Sequence, residues 1–149
     1  HRVGCSGRIT SYSETNDGRI LIVLTGLCRF EILRELEGEQ GFRRVAPDWS
    51  RFASDYLEET DDISDRDQFI GSLRTYCDQH QVEIPWDDLN RMADSEMVNL
   101  LCTHLPLASE DKQALIETID LPERANLMRG LMEMSAFSSL SVAAAEQRH

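Results

Sequence analysis

The chain has 149 residues, a net charge of −12 and a sequence pI near 4.6. This acidic balance opposes association with nucleic acid or anionic membranes, so neither is expected as a partner. The 41% hydrophobic content suffices for a folded core, and no apolar stretch approaches the roughly 18–20 residues that span a bilayer.

The first 47 residues carry the strand signals, with seven Arg and six Asp or Glu for a net charge of +1. Asn16-Asp17-Gly18 predicts a tight hairpin turn, because these residue types tolerate positive φ. Strands are expected on either side of the turn, over 5–13 and 19–28. A further short strand is expected over 42–45.

Residues 20–24 are all apolar, so both faces of the second strand would carry apolar side chains. Such a pattern is typical of a strand that is buried on both sides. A meander of three or four short strands is too small to cover both faces. We therefore expect either that the helical part covers them or that part of the sheet is missing.

Residues 48–149 carry eight Lys or Arg and 21 Asp or Glu, for a net charge of −13, and helical periodicity replaces the strand pattern. We expect a domain boundary at Pro47–Asp48 and a solvated acidic loop over about 54–67. The predicted helical ranges are about 65–79, 87–104, 109–118 and 121–136, with Ser64, Ser95 and Ser109 as N-caps. Within 87–104, a short helix over 87–92 is expected to precede a second helix over 96–104. Strands followed by helices, without interleaving, predict an α+β fold.

The sequence contains no P-loop and no G-x-S-x-G, H-E-x-x-H or G-x-G-x-x-G motif, so we expect no catalytic residue, metal or cofactor. The cysteines at 5, 28, 77 and 102 match no zinc or redox spacing, which favours reduced thiols in a cytoplasmic protein. Cys77 and His80, three residues apart on a helix, would be a nucleophilic pair if the thiol were activated. A core cysteine beside a surface histidine is the simpler interpretation.

All five methionines lie in the helical part, at 92, 97, 128, 132 and 134. Flexible Met side chains suit a surface that accepts varied apolar ligands, and they also fill helix cores. Core filling is the simpler interpretation, and a Met-lined binding surface is the alternative.

Two stretches carry motifs in a specific order. The first runs from Gly4-Cys5-Ser6-Gly7-Arg8-Ile9 through Asp17-Gly18-Arg19 to Gly26-Leu27-Cys28-Arg29-Phe30. The second is Glu110–Glu117, followed by Leu121-Pro122-Glu123-Arg124. The first resembles the G-x-x-(G/A)-x-I … D-G-x … G-x-x-R-(F/Y) hairpin of the Lon protease N-terminal (LON) domain. The second is similar to the E-K-Q-x-L-L-E … R helix pair of that domain.

The resemblance covers about residues 3–134 and is strongest for stand-alone bacterial LON-domain proteins. It implies part of a β lobe of pseudobarrel type, built as an antiparallel meander, followed by a helical bundle. In full-length Lon this domain helps to recognise unfolded or tagged substrates, supports assembly and has no catalytic residues. The implied role is non-catalytic, within ATP-dependent proteolysis, with polypeptide substrates or a protein as partner.

The chain departs from the family pattern at its beginning. The family domain opens with an apolar L-P-L-F-P-L strand, a proline-rich turn and an R-Y helix, and none of these precedes Gly4. We therefore expect a truncated or processed piece that holds the second half of the β lobe. A strand edge left open in this way would favour dimerisation by strand pairing.

The resulting hypothesis is an apolar groove, between the strands and helices or on the bundle, that binds extended polypeptide. The candidate contacts are Phe30, Phe42, Trp49, Met97, Met128 and Met132. The alternative is a structural adaptor that docks on one folded partner such as a protease or an ATPase. The sequence indicates neither the substrate nor the oligomeric state.

Overall fold

The structure is a computed structural model that describes residues 1–38, 41–57 and 62–146, with side chains up to residue 135. It contains an antiparallel three-stranded sheet followed by helices, which confirms the α+β fold class. The chain divides into two compact units, His1–Glu59 (the β unit) and Thr60–His149 (the helical unit). The boundary expected at Pro47–Asp48 stays a prediction from composition, and the β unit also includes a short 3-10 helix at Ser50–Tyr56.

The β unit is built on one long hairpin. Strand β1 spans Val3–Glu14 and strand β2 spans Ile20–Leu36, and the two pair antiparallel along nearly the whole of β1. The turn between them confirms the predicted hairpin, with Gly18 at a φ of +79°. The amide of Thr15 closes the turn by donating to the Arg19 carbonyl at 2.8 Å. Only a residue that tolerates left-handed backbone fits the Gly18 position without strain.

The third strand, β3, spans Arg44–Asp48 and pairs with β2 only over Glu31–Leu36. It starts and ends later than the predicted strand at 42–45, and it includes Pro47 opposite Ile32. Proline is tolerated there because β3 is an edge strand. No further strand pairs with its outer side, so no hydrogen bond is lost on that side for want of a proline N–H. The turn predicted at 37–39 lies partly outside the described residues.

One ion pair joins β2 to the 3-10 helix of the β unit. The Arg29 guanidinium lies 2.6 Å from Oδ1 of Asp55, and the Arg29 backbone amide donates to Oδ2 of Asp55 at 2.8 Å. Both side chains are largely buried, and the same guanidinium lies over the ring of the fully buried Phe52 at 4.7 Å. The Asp55 carboxylate thus satisfies a backbone and a side-chain donor at once, which fixes the helix against the strand.

Removing this carboxylate should destabilise the β unit strongly. Asp55→Asn leaves a buried guanidinium without its counter-charge, so we expect the free energy of unfolding to fall by about 3 kcal/mol. Urea unfolding followed by Trp49 fluorescence, in a Trp86→Phe background, reports on the β unit alone. The matched control is Asp17→Asn, which breaks the exposed Asp17–Arg19 pair at the hairpin turn and should change little. Equal small effects of both substitutions would contradict the anchoring role of Asp55.

The helical unit contains five helices around one core. They span Arg66–His80 (α1), Trp86–Arg91 (α2), Asp94–His104 (α3), Ser109–Glu117 (α4) and Leu121–Glu146 (α5). The range 87–104 holds two helices, as predicted, with extended backbone at Met92 and Ala93 between them. Helix α5 continues past its predicted end at 136, because the Ser- and Ala-rich run contains neither Gly nor Pro. No helix among the described residues is long and apolar enough to cross a membrane.

The helix starts differ from the predicted caps. Helix α1 is capped by Asp65, whose carboxylate accepts from the Gln68 amide at 3.0 Å, and not by Ser64. Helices α3 and α4 begin one residue after Ala93 and Ala108, without a side-chain cap, so Ser95 and Ser109 lie inside them. A carboxylate is a strong acceptor at a helix N-terminus, which explains the preference for Asp65. The acidic loop predicted over about 54–67 lies partly in the 3-10 helix and α1, and its residues 58–61 are outside the described residues.

Asp94 and Arg66 tie three of these helices together. The buried Asp94 carboxylate accepts from the Ile63 amide at 2.9 Å and forms an ion pair with Arg66. Arg66 also donates to the carbonyl oxygens of Leu89 and Met92, at 3.3 and 3.1 Å. One arginine therefore neutralises the first turn of α3 and satisfies backbone acceptors at the end of α2.

Burial sets the titration of three groups in the helical unit. It raises the pKa of the Cys77 and Cys102 thiols and of the Tyr76 hydroxyl above their ordinary values. A group whose pKa is raised on folding stabilises the folded state below its unfolded pKa. That stabilisation is lost as the pH rises through the folded pKa.

We therefore expect the urea midpoint of the helical unit to fall as the pH rises through 9 and 10. The unfolded thiols ionise first in this range, so the unfolded state releases protons before the folded state does. Circular dichroism of the helical signal measures the midpoint. The double variant Cys77→Ala/Cys102→Ala should show a shallower fall, and an unchanged slope would refute the assignment to the thiols.

Candidate functional site

The hairpin residues that carry the sequence motif have structural roles. Gly4 lies opposite Phe30, and a Cβ atom at Gly4 would come within 3.0 Å of Cζ of the Phe30 ring. The ring therefore lies across the glycine, and its other neighbour is Trp49, with ring centroids 5.1 Å apart. Phe30 and Trp49 form a half-exposed aromatic pair at the base of the hairpin.

The motif in the helical unit is also architectural. The Arg124 side chain is buried, and it donates to Oδ1 of Asn99 and to the Ile119 carbonyl, both at 2.9 Å. It satisfies backbone and side-chain acceptors between α3 and α5, after the end of α4. Lys112 donates to the Thr103 carbonyl at the end of α3, at 2.9 Å. Most residues that carry the resemblance therefore hold the fold, and Phe30, with its partly exposed ring, is the motif residue that also reaches the surface.

The hairpin beyond its base exposes apolar side chains on both faces. We call the ribbon the two-stranded part formed by residues 7–14 and 20–27. Its exposed large apolar side chains, each 49–76% accessible, are Ile9, Tyr12, Ile20, Leu21, Ile22, Val23, Leu24 and Leu27. The prediction that this strand is buried on both sides is wrong for the described chain. The sheet has three strands, and β3 reaches only the base of the hairpin.

The six predicted contact residues fall into two groups. In the β unit, Phe42 is 59% exposed, and Phe30 and Trp49 form the aromatic pair. In the helical unit, the predicted methionines are completely buried in the core; they are Met97, Met128 and Met132. The structure therefore brings together only Phe30 and Trp49, and the three methionines form no part of its surface.

Sequence reasoning missed the ribbon as a surface. Its apolar side chains were expected to be core, because a strand with apolar residues on both faces normally lies between two layers. The available signal was the count of strands: the expected meander was already too small to cover those residues.

The Cys77–His80 pair lacks the features of a nucleophile. Cys77 is buried, and burial raises the pKa of its thiol, which disfavours the thiolate. His80 instead stacks on Tyr76, with centroids 4.2 Å apart, and its Nε2 lies 2.8 Å from Oγ of Ser135. Within the described part of the chain, no three His, Cys, Asp or Glu side chains form a cluster able to hold a metal ion.

These environments predict an order of thiol reactivity. Cys5 is exposed on β1, whereas Cys28 and Cys77 are buried, so we expect iodoacetamide to modify Cys5 first and Cys77 only on unfolding. Peptide mass mapping after timed quenching, with and without urea, measures the order. Rapid modification of Cys77 in the folded protein would contradict its burial and would revive the nucleophilic pair.

Comparisons with known proteins agree with this architecture. Residues 1–134 match the family described as ATP-dependent protease La (LON) substrate-binding domain. The chain is 24% identical over 136 residues to a Lon protease of Brevibacillus choshinensis, covering 86% of this chain and 16% of that protein. The crystal structure of a Lon N-terminal domain protein from Xanthomonas campestris matches with a TM-score of 0.59 and 19% identity. That match covers 86% of this chain and 66% of the other.

The structural match shows a shared fold, and the chain spans less than a fifth of the matched protease. The family match extends over most of the chain, from the hairpin through the first part of α5. This chain therefore belongs to the LON substrate-binding domain family.

Proposed function

We propose that this chain binds unfolded or tagged polypeptide segments, as a non-catalytic recognition domain related to ATP-dependent proteolysis. The family description supports a substrate-binding role. The matched relative is a Lon protease, of which this chain corresponds to a small part. The raised pKa of Cys77 and the engagement of His80 with other partners also favour a non-catalytic role.

The observation that carries the proposal is the distribution of exposed apolar side chains. Thirteen of the fifteen large apolar residues found exposed in the described chain lie in the β unit, and only Leu100 and Met134 lie in the helical unit. A concentration of exposed apolar side chains in one unit is typical of sites of interaction with proteins or other apolar ligands. Extended polypeptide segments offer the matching apolar side chains, which folded proteins keep in their cores.

Within the β unit, we assign the first contacts to Phe42 and to the aromatic pair Phe30–Trp49. Aromatic side chains contribute large contact areas at low cost in conformational entropy, which suits recognition of varied segments. Phe42 follows Gly41, whose φ of +104° places a turn directly before it. Met97, Met128 and Met132 would support this site only by stabilising the helical unit.

A structural adaptor is the second candidate function. An exposed apolar surface of this extent also fits one folded partner, such as a protease or an ATPase. Affinity capture separates the two: one stoichiometric partner favours the adaptor, and many unrelated unfolded clients favour substrate binding. The free cysteines of the structure suit a reducing compartment, and we propose the cytoplasm as the place of action.

The proposal predicts measurable binding of an unfolded model protein. We expect the 149-residue chain to bind a reduced, alkylated and fluorescently labelled protein, observed as a rise in fluorescence anisotropy. The double variant Phe42→Ser/Trp49→Ser should weaken this binding about tenfold or more, because two exposed aromatic contacts are lost.

The matched control for this experiment is Leu100→Ser, which removes an exposed apolar side chain from the helical unit. It should leave the affinity unchanged, and circular dichroism should confirm that all variants are folded. An absence of binding at tens of micromolar, or an equal effect of Leu100→Ser, would count against the proposed site.

A further inference from the structure

Two exposed arginines lie on one face of the pairing between β2 and β3. Arg34 lies opposite Ala46, and Arg44 lies opposite Leu36. Ala46 and Arg44 are two residues apart on β3. Because partners in an antiparallel pair share a face and side chains alternate along a strand, both arginines lie on the same face. Residues placed diagonally in this way are roughly 7–8 Å apart, so one bound segment can contact both side chains.

The opposite face of the same two strands has its charges paired. The Arg43 guanidinium donates to both carboxylate oxygens of Glu35, at 2.8 and 2.9 Å. Glu35 lies opposite Val45, so this ion pair occupies the face away from Arg34. Among the described residues, neither Arg34 nor Arg44 forms an ion pair. One face is therefore neutralised, and the other keeps two positive charges.

The acidic residues on the face of the two arginines do not neutralise them. Glu31 and Asp48 lie opposite each other, and Asp48 is two residues from Ala46. The Asp48 carboxylate instead accepts from the amide and the hydroxyl of Ser50, at 2.9 and 2.7 Å, at the start of the 3-10 helix. Like charges on neighbouring positions of a sheet are unfavourable. Such a cost without compensation inside the chain is typical of a functional site.

Exposed apolar side chains border the two arginines. Leu33, at the irregularity in the pairing beside Arg34, is 63% exposed, and the exposed Phe42 precedes Arg44 by two residues. A Cβ atom at Gly38 would come within 3.0 Å of the Phe42 carbonyl oxygen, so the Phe42 backbone lies against the end of β2. We call Leu33, Arg34, Phe42 and Arg44 the basic apolar surface.

We propose that the basic apolar surface selects polypeptide segments in which Asp or Glu lies next to apolar residues. Arg34 and Arg44 bind the carboxylates, and Leu33 and Phe42 contact the apolar side chains. An arginine matches a carboxylate with two parallel hydrogen bonds, and such charge-assisted bonds are stronger than neutral ones. The inference rests on the proposed function and names the class of segment that is preferred.

The net charge of the chain gives this preference a distinctive salt dependence. At −12, the chain as a whole repels an acidic segment, and the excess acid lies in residues 48–149. Repulsion of this kind is largely screened beyond roughly 8 Å at physiological ionic strength, whereas the arginines act at hydrogen-bond distance. Added salt weakens both effects, so it lowers the affinity if the arginines dominate and raises it if the net charge dominates.

Fluorescence anisotropy with three matched peptides tests the inference on the 149-residue chain. The peptides share one apolar sequence, carry Glu, Gln or Lys at the same flanking positions, and are amidated so that Glu supplies the only carboxylates. We expect the Glu peptide to bind about fivefold more tightly than the Gln peptide, which is the effect of one favourable exposed ion pair. Its affinity should fall as sodium chloride is raised.

Two double variants locate the contact. Arg34→Gln/Arg44→Gln should bind the Glu and Gln peptides equally, and Arg34→Glu/Arg44→Glu should transfer the preference to the Lys peptide. The matched control Arg8→Gln/Arg43→Gln removes the same number of charges from exposed positions of the β unit and should keep the preference for Glu. An unchanged circular dichroism spectrum confirms folding of each variant.

The outcomes separate this inference from the proposed function. Equal binding of the Glu and Gln peptides by the unaltered chain would overturn the inference and leave the proposed function in place. A preference for Glu that the control variant also loses, or that grows with salt, would assign it to other charges and overturn the role of Arg34 and Arg44. An absence of binding by all three peptides would contradict the proposed function and the inference together.

Discussion

The β unit depends on the bidentate contact between Arg29 and Asp55. A sheet of three strands with one long, exposed hairpin has little core of its own, because Val3, Cys28 and Phe52 are the buried apolar residues described within it. The ion pair and the Arg29 amide place the 3-10 helix, and with it Phe52, against β2. A charged contact that is largely buried is stabilising only when its donors and acceptors are satisfied, and here the carboxylate accepts from backbone and side chain. The base of the hairpin is thereby fixed while its outer part stays exposed.

The helical unit is organised by a different principle. Its core is apolar and nearly continuous, and the buried Arg124 and Asp94, with the partly buried Arg66, satisfy backbone groups near helix ends. Arg66 and Arg124 act at such ends. This division explains why Met97, Met128 and Met132 belong to the core, since close packing between short helices favours flexible side chains. It also leaves the β unit as the place where apolar surface meets solvent.

Much of the fold follows from residue patterns, and the errors have local causes. The hairpin turn was predictable because Asn16-Asp17-Gly18 has few alternatives, and the α+β class was predictable because strand and helix patterns do not interleave. The cap of α1 was misassigned because Ser64 and Asp65 are adjacent acceptors, and only geometry distinguishes them. The exposed ribbon was not predictable from periodicity alone, since an apolar strand looks the same whether or not a second layer covers it. Of the candidate contacts, Phe42 and Trp49 are exposed. Met97, Met128 and Met132 are buried, and this was not predictable because methionines on a binding surface and methionines in a helix core give the same sequence pattern.

Pro47 has a consequence for how this sheet can grow. It stands in β3, the strand at the other end of the sheet, and it has no N–H to offer to an added strand. A sheet with two edges that can each pair with another strand can add copies without limit and form fibres. A sheet with one such edge can pair only once, so its assembly stops there. Proline interrupts β3, and β1 carries the charges of Arg8 and Glu14, so neither of these two strands is suited to receive an added strand. The exposed apolar strand β2 therefore does not by itself lead to open-ended polymerisation of the protein.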